Sequence, residues 1–134
     1  MKALALDLGR VRTGVAVSDP TGSLVRPLPV IIGIDGAAGA VALDAVLAEH
    51  APDVIVIGRP LLMSGTAGEQ AHHAASFAGR LRQRVDARVV LMDERMSTSE
   101  AQRRARETGS STDIDGLAAC VILDAWLATD RAAA

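Results

Sequence analysis

The stretch Ala3-Leu-Ala-Leu-Asp-Leu-Gly-Arg-Val-Arg-Thr-Gly-Val-Ala-Val-Ser18 decides the fold. An apolar run from Ala3 to Leu6 delivers one carboxylate, Asp7, and then Gly9. A basic turn with Arg10 and Arg12 leads to Gly14 and a second apolar run, Val15 to Val17. A continuous apolar run ended by a turn is the pattern of a strand buried on both faces. Asp is foreign to the middle of such a strand. At its C-terminal end, Asp7 would face the crevice where open α/β sheets bind ligands. The competing reading makes Asp7 the start of the turn, since Asp and Gly are common there. The stretch alone does not separate the two.

Outward from this hairpin, Asp19-Pro-Thr-Gly22 is a turn signal, so the third strand, Leu24 to Ile32, should return antiparallel. Pro27 and Pro29 cannot donate to a ladder and place that strand at a sheet edge. Asp35 can N-cap a helix over Gly36 to His50, which Pro52 stops. Val54 to Ile57 is a short buried strand ending in Gly58-Arg59-Pro60. A loop follows, and Thr66 with Glu69 has capping-box spacing. The next helix presents Ala71, Ala74, Ala75, Ala78, Leu81 and Val85 on one face, with Arg80, Arg82 and Arg84 as a solvated end.

Arg88 to Met92 is the fifth strand, followed by Asp93-Glu94-Arg95. Ser97 and Glu100 form another capping box, and Gly109 can close that helix. Asp113 can N-cap the last helix, where Ile114, Leu117, Ala118, Val121, Ile122, Ala125 and Trp126 recur at helical spacing. The order β-β-β-α-β-α-β-α-α implies an antiparallel meander, then parallel strands joined by right-handed crossovers.

The 134 residues suit one domain with one core, spanning 1–134. Aromatic residues are nearly absent, with one Phe, one Trp and no Tyr, which argues against modules that stack bases on aromatic platforms. The net charge of −2 says little about partners. The basic residues are uneven instead, clustering at 10–12, 80–88 and 95–106, and a local patch matters more to an anionic partner than the sum. Cys120 is the only cysteine and lies in an apolar helical pattern, so a buried thiol is expected. His72 and His73 are adjacent and diverge by about 100° around a helix, which does not suit a shared metal. No signal-peptide pattern and no apolar run of membrane-spanning length is present, so a cytoplasmic protein without membrane contact is expected.

Three acidic sites fall at element ends: Asp7, Asp93-Glu94, and Asp113 with Asp115. Carboxylates gathered at strand ends and a helix start make a hard-oxygen site suited to Mg²⁺ or Mn²⁺. Two such ions can clamp the attacking and leaving oxygens of a phosphodiester cleavage. Each acid also has a plain alternative. Asp113 can be an N-cap, Asp115 can complement a helix dipole, and Asp93-Glu94 can be a solvated turn. Arg10 and Arg12, close to Asp7, could hold a substrate phosphate.

Four stretches, in the same order, resemble the YqgF/RuvX family, pre-16S rRNA nucleases related to Holliday-junction resolvases. They are Leu6 to Asp19, Val56 to Gly65, Asp93 to Ala101, and Ile114 to Leu123. The resemblance implies the RNase H-like fold: an α/β domain whose five-stranded mixed sheet, order 3-2-1-4-5, carries helices on both faces. It implies a metal-dependent nuclease with Asp7, Glu94 and Asp115 as catalytic and metal-binding residues, Asp93 being the alternative to Glu94. Arg10, Arg12 and Arg95 are the substrate-binding candidates. The implied partners are pre-16S rRNA, through its 5′ end, or branched DNA, and possible contacts with ribosomal precursor particles, as monomer or homodimer. A non-catalytic nucleic-acid-binding module on the same fold is the rival reading. The family's strand-four loop usually has Gly-Leu-Pro where this chain has Gly58-Arg59-Pro60.

Overall fold

A computed structural model describes residues 1–59, 68–93 and 114–133. Five strands lie in it: β1 (Ala3–Leu8), β2 (Arg12–Ser18), β3 (Val25–Ile32), β4 (Val54–Arg59) and β5 (Arg88–Asp93). Three helices accompany them: α1 (Ala37–His50), α2 (Glu69–Arg82) and α3 (Ile114–Ala133). The sheet order is β3-β2-β1-β4-β5, with β1–β2 and β2–β3 antiparallel and β1–β4 and β4–β5 parallel. This is the expected order. The expected loop at 61–67, the Thr66–Glu69 capping box, the helix from Ser97 to Gly109 and the Asp113 cap involve residues outside those described.

The central strands are apolar on both sides because both sides are covered. Leu4, Leu6, Leu8, Val15, Ile55 and Ile57 join Leu43 of α1 and Ala74, Phe77, Ala78 and Leu81 of α2 in one core. Ala3, Ala5, Ala16, Val54 and Val56 join Ala119, Cys120, Ile122, Leu123 and Leu127 of α3 in a second core. The small residues of β1 and β2 thus face α3, which lets that helix approach closely. Ala118 to Leu123 are all buried, so α3 is enclosed over more than one stripe, and Cys120 is buried as its apolar setting suggests.

The edge strand β3 keeps Pro27 and Pro29 where no further strand needs their missing donors. The turn from β2 to β3 is held by Asp19. Its carboxylate accepts from the Thr21 hydroxyl at 2.7 Å and from the backbone N–H groups of Ser23 and Leu24 at 2.8 and 3.1 Å. These bonds, the Thr21 hydroxyl first and the Leu24 N–H next, lower the Asp19 pKa below its ordinary value.

Two local expectations are corrected and a third is extended. Asp35 does not cap α1: the N-cap is Gly36, without a side-chain bond. The Asp35 carboxylate instead lies 2.7 Å from His73 Nε2 and accepts from Arg80 at 3.1 Å, tying the start of α1 to α2. The buried face of α2 includes Phe77 and excludes Ala75, because the one large aromatic wins the core position from a methyl group. Arg80, Arg82 and Arg84 are exposed, as expected of a solvated helix end, and they also bond to neighbours. Arg82 donates to the Val89 carbonyl at 3.1 and 3.2 Å, and Arg84 pairs with Asp44 of α1.

Candidate active site

Side chains alternate along a strand. Ala3 and Ala5 face α3 while Leu4, Leu6 and Leu8 face α1 and α2, so Asp7 belongs to the α3 side. It sits one residue before the end of β1 and is half-buried. Its ladder partner on β2 is Gly14. On β4, the register Leu6↔Ile57 brings Gly58 to the same level. The carboxylate is therefore flanked on both neighbouring strands by residues without side chains.

The turn beyond Asp7 is built on Gly9, whose N–H donates to the Arg12 carbonyl at 2.9 Å. A Cβ on Gly9 would stand 2.4 Å from that same oxygen, so only glycine allows the closure. Arg12 follows on β2, two residues before Gly14 and on the same side of the sheet as Asp7. Diagonal cross-strand neighbours lie about 7–8 Å apart, within reach of a long side chain. Arg10 is exposed in the turn itself.

The third contribution comes from α3. Leu127 packs where a Gly22 Cβ would stand, 3.5 Å away, beside Met1 at the start of β1. Gly116, near the other end of the helix, lies against Pro27 in mid-β3. The helix thus runs back along the sheet, and its first turn, with Asp115 as second residue, lies toward the C-terminal end of β1 on the side of Asp7.

Met92 packs with the α3-side core, opposite Gly58. Position 93, paired with Arg59, therefore falls in the row of Leu8, on the α1/α2 side. Glu94 and Arg95 lie outside the described residues. Among the described residues there is no group of three or more potential metal ligands. What they supply toward a hard cation is Asp7, with its glycine-flanked approach, and the start of α3; a carboxylate donor of this kind fits Mg²⁺ or Mn²⁺.

Two clefts lie elsewhere. One of about 340 Å³ between α1 and α2 is lined by Arg80 and Arg84, already paired with Asp35 and Asp44. One of about 560 Å³ lies at the opposite end of β1, beside Lys2, Ser18 and Arg26. Neither borders Asp7. Motif and charge do not single out Gly58; the signal for it is a glycine inside an apolar strand, which marks a close approach. No helix among the described residues is long and apolar enough to cross a membrane.

A mixed sheet in this order, with helices on both faces, is the RNase H-like fold. The solved fowlpox virus resolvase in complex with Holliday junction DNA matches with a TM-score of 0.59 at 10% identity, covering 96% of this chain and 98% of that one. Thermus thermophilus RuvC matches with a TM-score of 0.57 at 15% identity, covering 98% and 97%. At such identities the likeness is one of fold.

Sequence carries the assignment further. The family described as "RuvX: Holliday junction resolvase" matches residues 1–129, and the chain belongs to it. A relative from Anaeromyxobacter sp., named "Putative pre-16S rRNA nuclease", is 40% identical over 95% of this chain and 96% of its own length. One of the same name from Haemophilus influenzae is 36% identical over 92% of this chain and 93% of its own.

Proposed function

We propose that this protein is a divalent-metal-dependent nuclease that trims the 5′ end of the 16S rRNA precursor in the cytoplasm. The observation that carries the reading is Asp7: a half-buried carboxylate closing the central strand, flanked by Gly14 and Gly58, on the side of the sheet where α3 begins. An acid held at the C-terminal end of a central strand, between two glycines of the neighbouring strands, serves a ligand better than it serves a core. The names of the relatives favour an RNA precursor as substrate.

In this reading Asp7, Glu94 and Asp115 hold Mg²⁺ or Mn²⁺, which supplies charge for the attacking and leaving oxygens of the phosphodiester. Glu94 is preferred over Asp93 because the β5 register assigns position 93 to the far side of the sheet. Arg12 sits at the level of Asp7 and Arg10 in the turn beyond it, and Arg95 follows Glu94 in the sequence. Their guanidinium groups would hold flanking phosphates and orient the scissile bond.

The test is cleavage of a labelled RNA spanning the precursor's 5′ junction, and of a four-way DNA junction, with Mg²⁺ or Mn²⁺ and with chelator. Metal-dependent cleavage of the RNA, lost in folded Asp7→Asn, supports the reading. Asn keeps the shape of Asp and removes its charge. Cleavage of the junction alone would make the protein a branched-DNA resolvase. No cleavage of either by the folded protein would leave a binding module.

A further inference from the structure

Burying a hydrogen-bonding group without a partner costs stability, and for a charged group the cost is larger. Three side-chain atoms among the described residues are enclosed without a partner: Thr13 Oγ1, Arg59 Nε and Gln70 Oε1. All three fall at one end of the molecule. Thr13 is paired with Leu8 at the close of β1, and Arg59 is the last residue of β4. Gln70 is in the first turn of α2, whose far end meets the start of β5 through Arg82 and Val89. The three lie on the α1/α2 side of the sheet, across its C-terminal edge from Asp7.

Arg59 is the one that carries charge. Other arginines on this side have partners: Arg80 has Asp35 and Ser76, Arg82 the Val89 carbonyl, Arg84 Asp44. Arg59 is half-buried, is held at its root by the β4 ladder between β1 and β5, and has no acceptor at Nε among the described residues. With its backbone held in the ladder and its stem enclosed as far as Nε, Arg59 has fewer rotamers to lose when its terminal nitrogens take an anion from outside. We propose that Arg59 is a substrate-binding residue that takes a backbone phosphate of the nucleic acid on the α1/α2 side of the sheet edge. The strand would then cross that edge, with the cleaved bond at Asp7 and a neighbouring phosphate at Arg59. This rests on the nuclease reading above and adds a contact to it.

Binding of a labelled single-stranded RNA is measured in chelator, so that nothing is cut, from about 50 to about 200 mM salt. Arg59→Leu should weaken binding roughly three- to tenfold at the low end and lower the salt slope by about 0.7, the value for one single-strand phosphate contact. Arg59→Lys should keep the slope. Under cleavage conditions Arg59→Leu should raise KM and leave kcat nearly unchanged. Its melting temperature should stay level or rise, since an enclosed donor without an acceptor is removed. An unchanged slope in Arg59→Leu, or a fall in its melting temperature, overturns the assignment; the second result would make Arg59 structural. If the wild type binds no RNA or junction DNA at all, the nuclease reading falls and this contact falls with it. Wild-type binding with an unaltered Arg59→Leu slope removes only the contact.

Discussion

Gly9→Ala should disable the site without touching any acid. The ideal Cβ would lie 2.4 Å from the Arg12 carbonyl oxygen, and real Cβ contacts essentially never fall below 3.0 Å. A displacement of roughly 0.6 Å therefore only reaches the edge of what occurs, and the atom that must yield is backbone. The same oxygen accepts the Gly9 N–H, so moving it lengthens the 2.9 Å bond that closes the turn. Overpacking of this kind costs about 1–3 kcal/mol, and a weakened hydrogen bond adds about 1 kcal/mol. With about 4 °C per kcal/mol for a chain of this size, the melting temperature should fall by roughly 8–16 °C. Activity should fall further than stability. The turn carries Arg10 and leads into Arg12 on the strand beside Asp7, and in the proposed site a misplacement near 1 Å can cost about a hundredfold in rate. Gly79→Ala is the control, a position in α2 with nothing within 4 Å of its Cβ, where alanine should be neutral or stabilise by about 0.5–1 kcal/mol. Calorimetric melts and single-turnover cleavage on both variants decide it. A Gly9→Ala protein that melts and cleaves like wild type would refute the tight-turn account.

Glu94→Gln should lose nearly all cleavage, while Asp93→Asn should lose less activity and more stability, because the β5 register gives position 93 to the side away from Asp7; the reverse pattern in paired activity and melting measurements would make Asp93 the ligand. Asp19 gives the pH prediction. Its folded pKa is lowered, so its contribution is present above the unfolded value near 3.8 and is lost as pH falls through the folded value. Asp19→Asn should be less stable than wild type in urea melts at neutral pH, and the gap should close below pH 3.8; an equal gap at both would show that the carboxylate's charge plays no part.

Most of the sheet was legible because its strands are bounded by strong punctuation. Asp19 to Gly22, Pro52 and the Gly58-Arg59-Pro60 run each end an apolar segment, and two prolines on one strand leave only an edge for it. Helix caps were harder. Asp35 has the right residue type and position for an N-cap, yet its carboxylate is drawn to His73 and Arg80, which are 38 and 45 residues away. A local rule cannot weigh a partner that only the crossover brings near. The face of α2 failed for a related reason: Ala75 and Phe77 fit different stripes of one helix, and the β4–β5 floor, not the helix pattern, selects the aromatic.

The site was legible in its first member and obscure in its geometry. An acid at the end of an apolar strand announces itself, and that singled out Asp7. What makes Asp7 accessible is carried by residues with nothing to announce: Gly14 and Gly58 matter through side chains they lack, and their alignment with Asp7 exists only once β2 and β4 are in register. The β5 register also bears on position 93. A shift of one residue exchanges the two faces of a strand, so the pairing of Gly58 with Met92 determines which side of the sheet position 93 occupies. Carboxylate spacing along the chain could not supply that. The proposed metal site, which draws on β1, the residues after β5 and the start of α3, would depend on pleat parity and helix direction, both properties of the assembled sheet. Substitutions that alter parity, such as a one-residue deletion within β5, should therefore damage it more than the loss of a nearby charge.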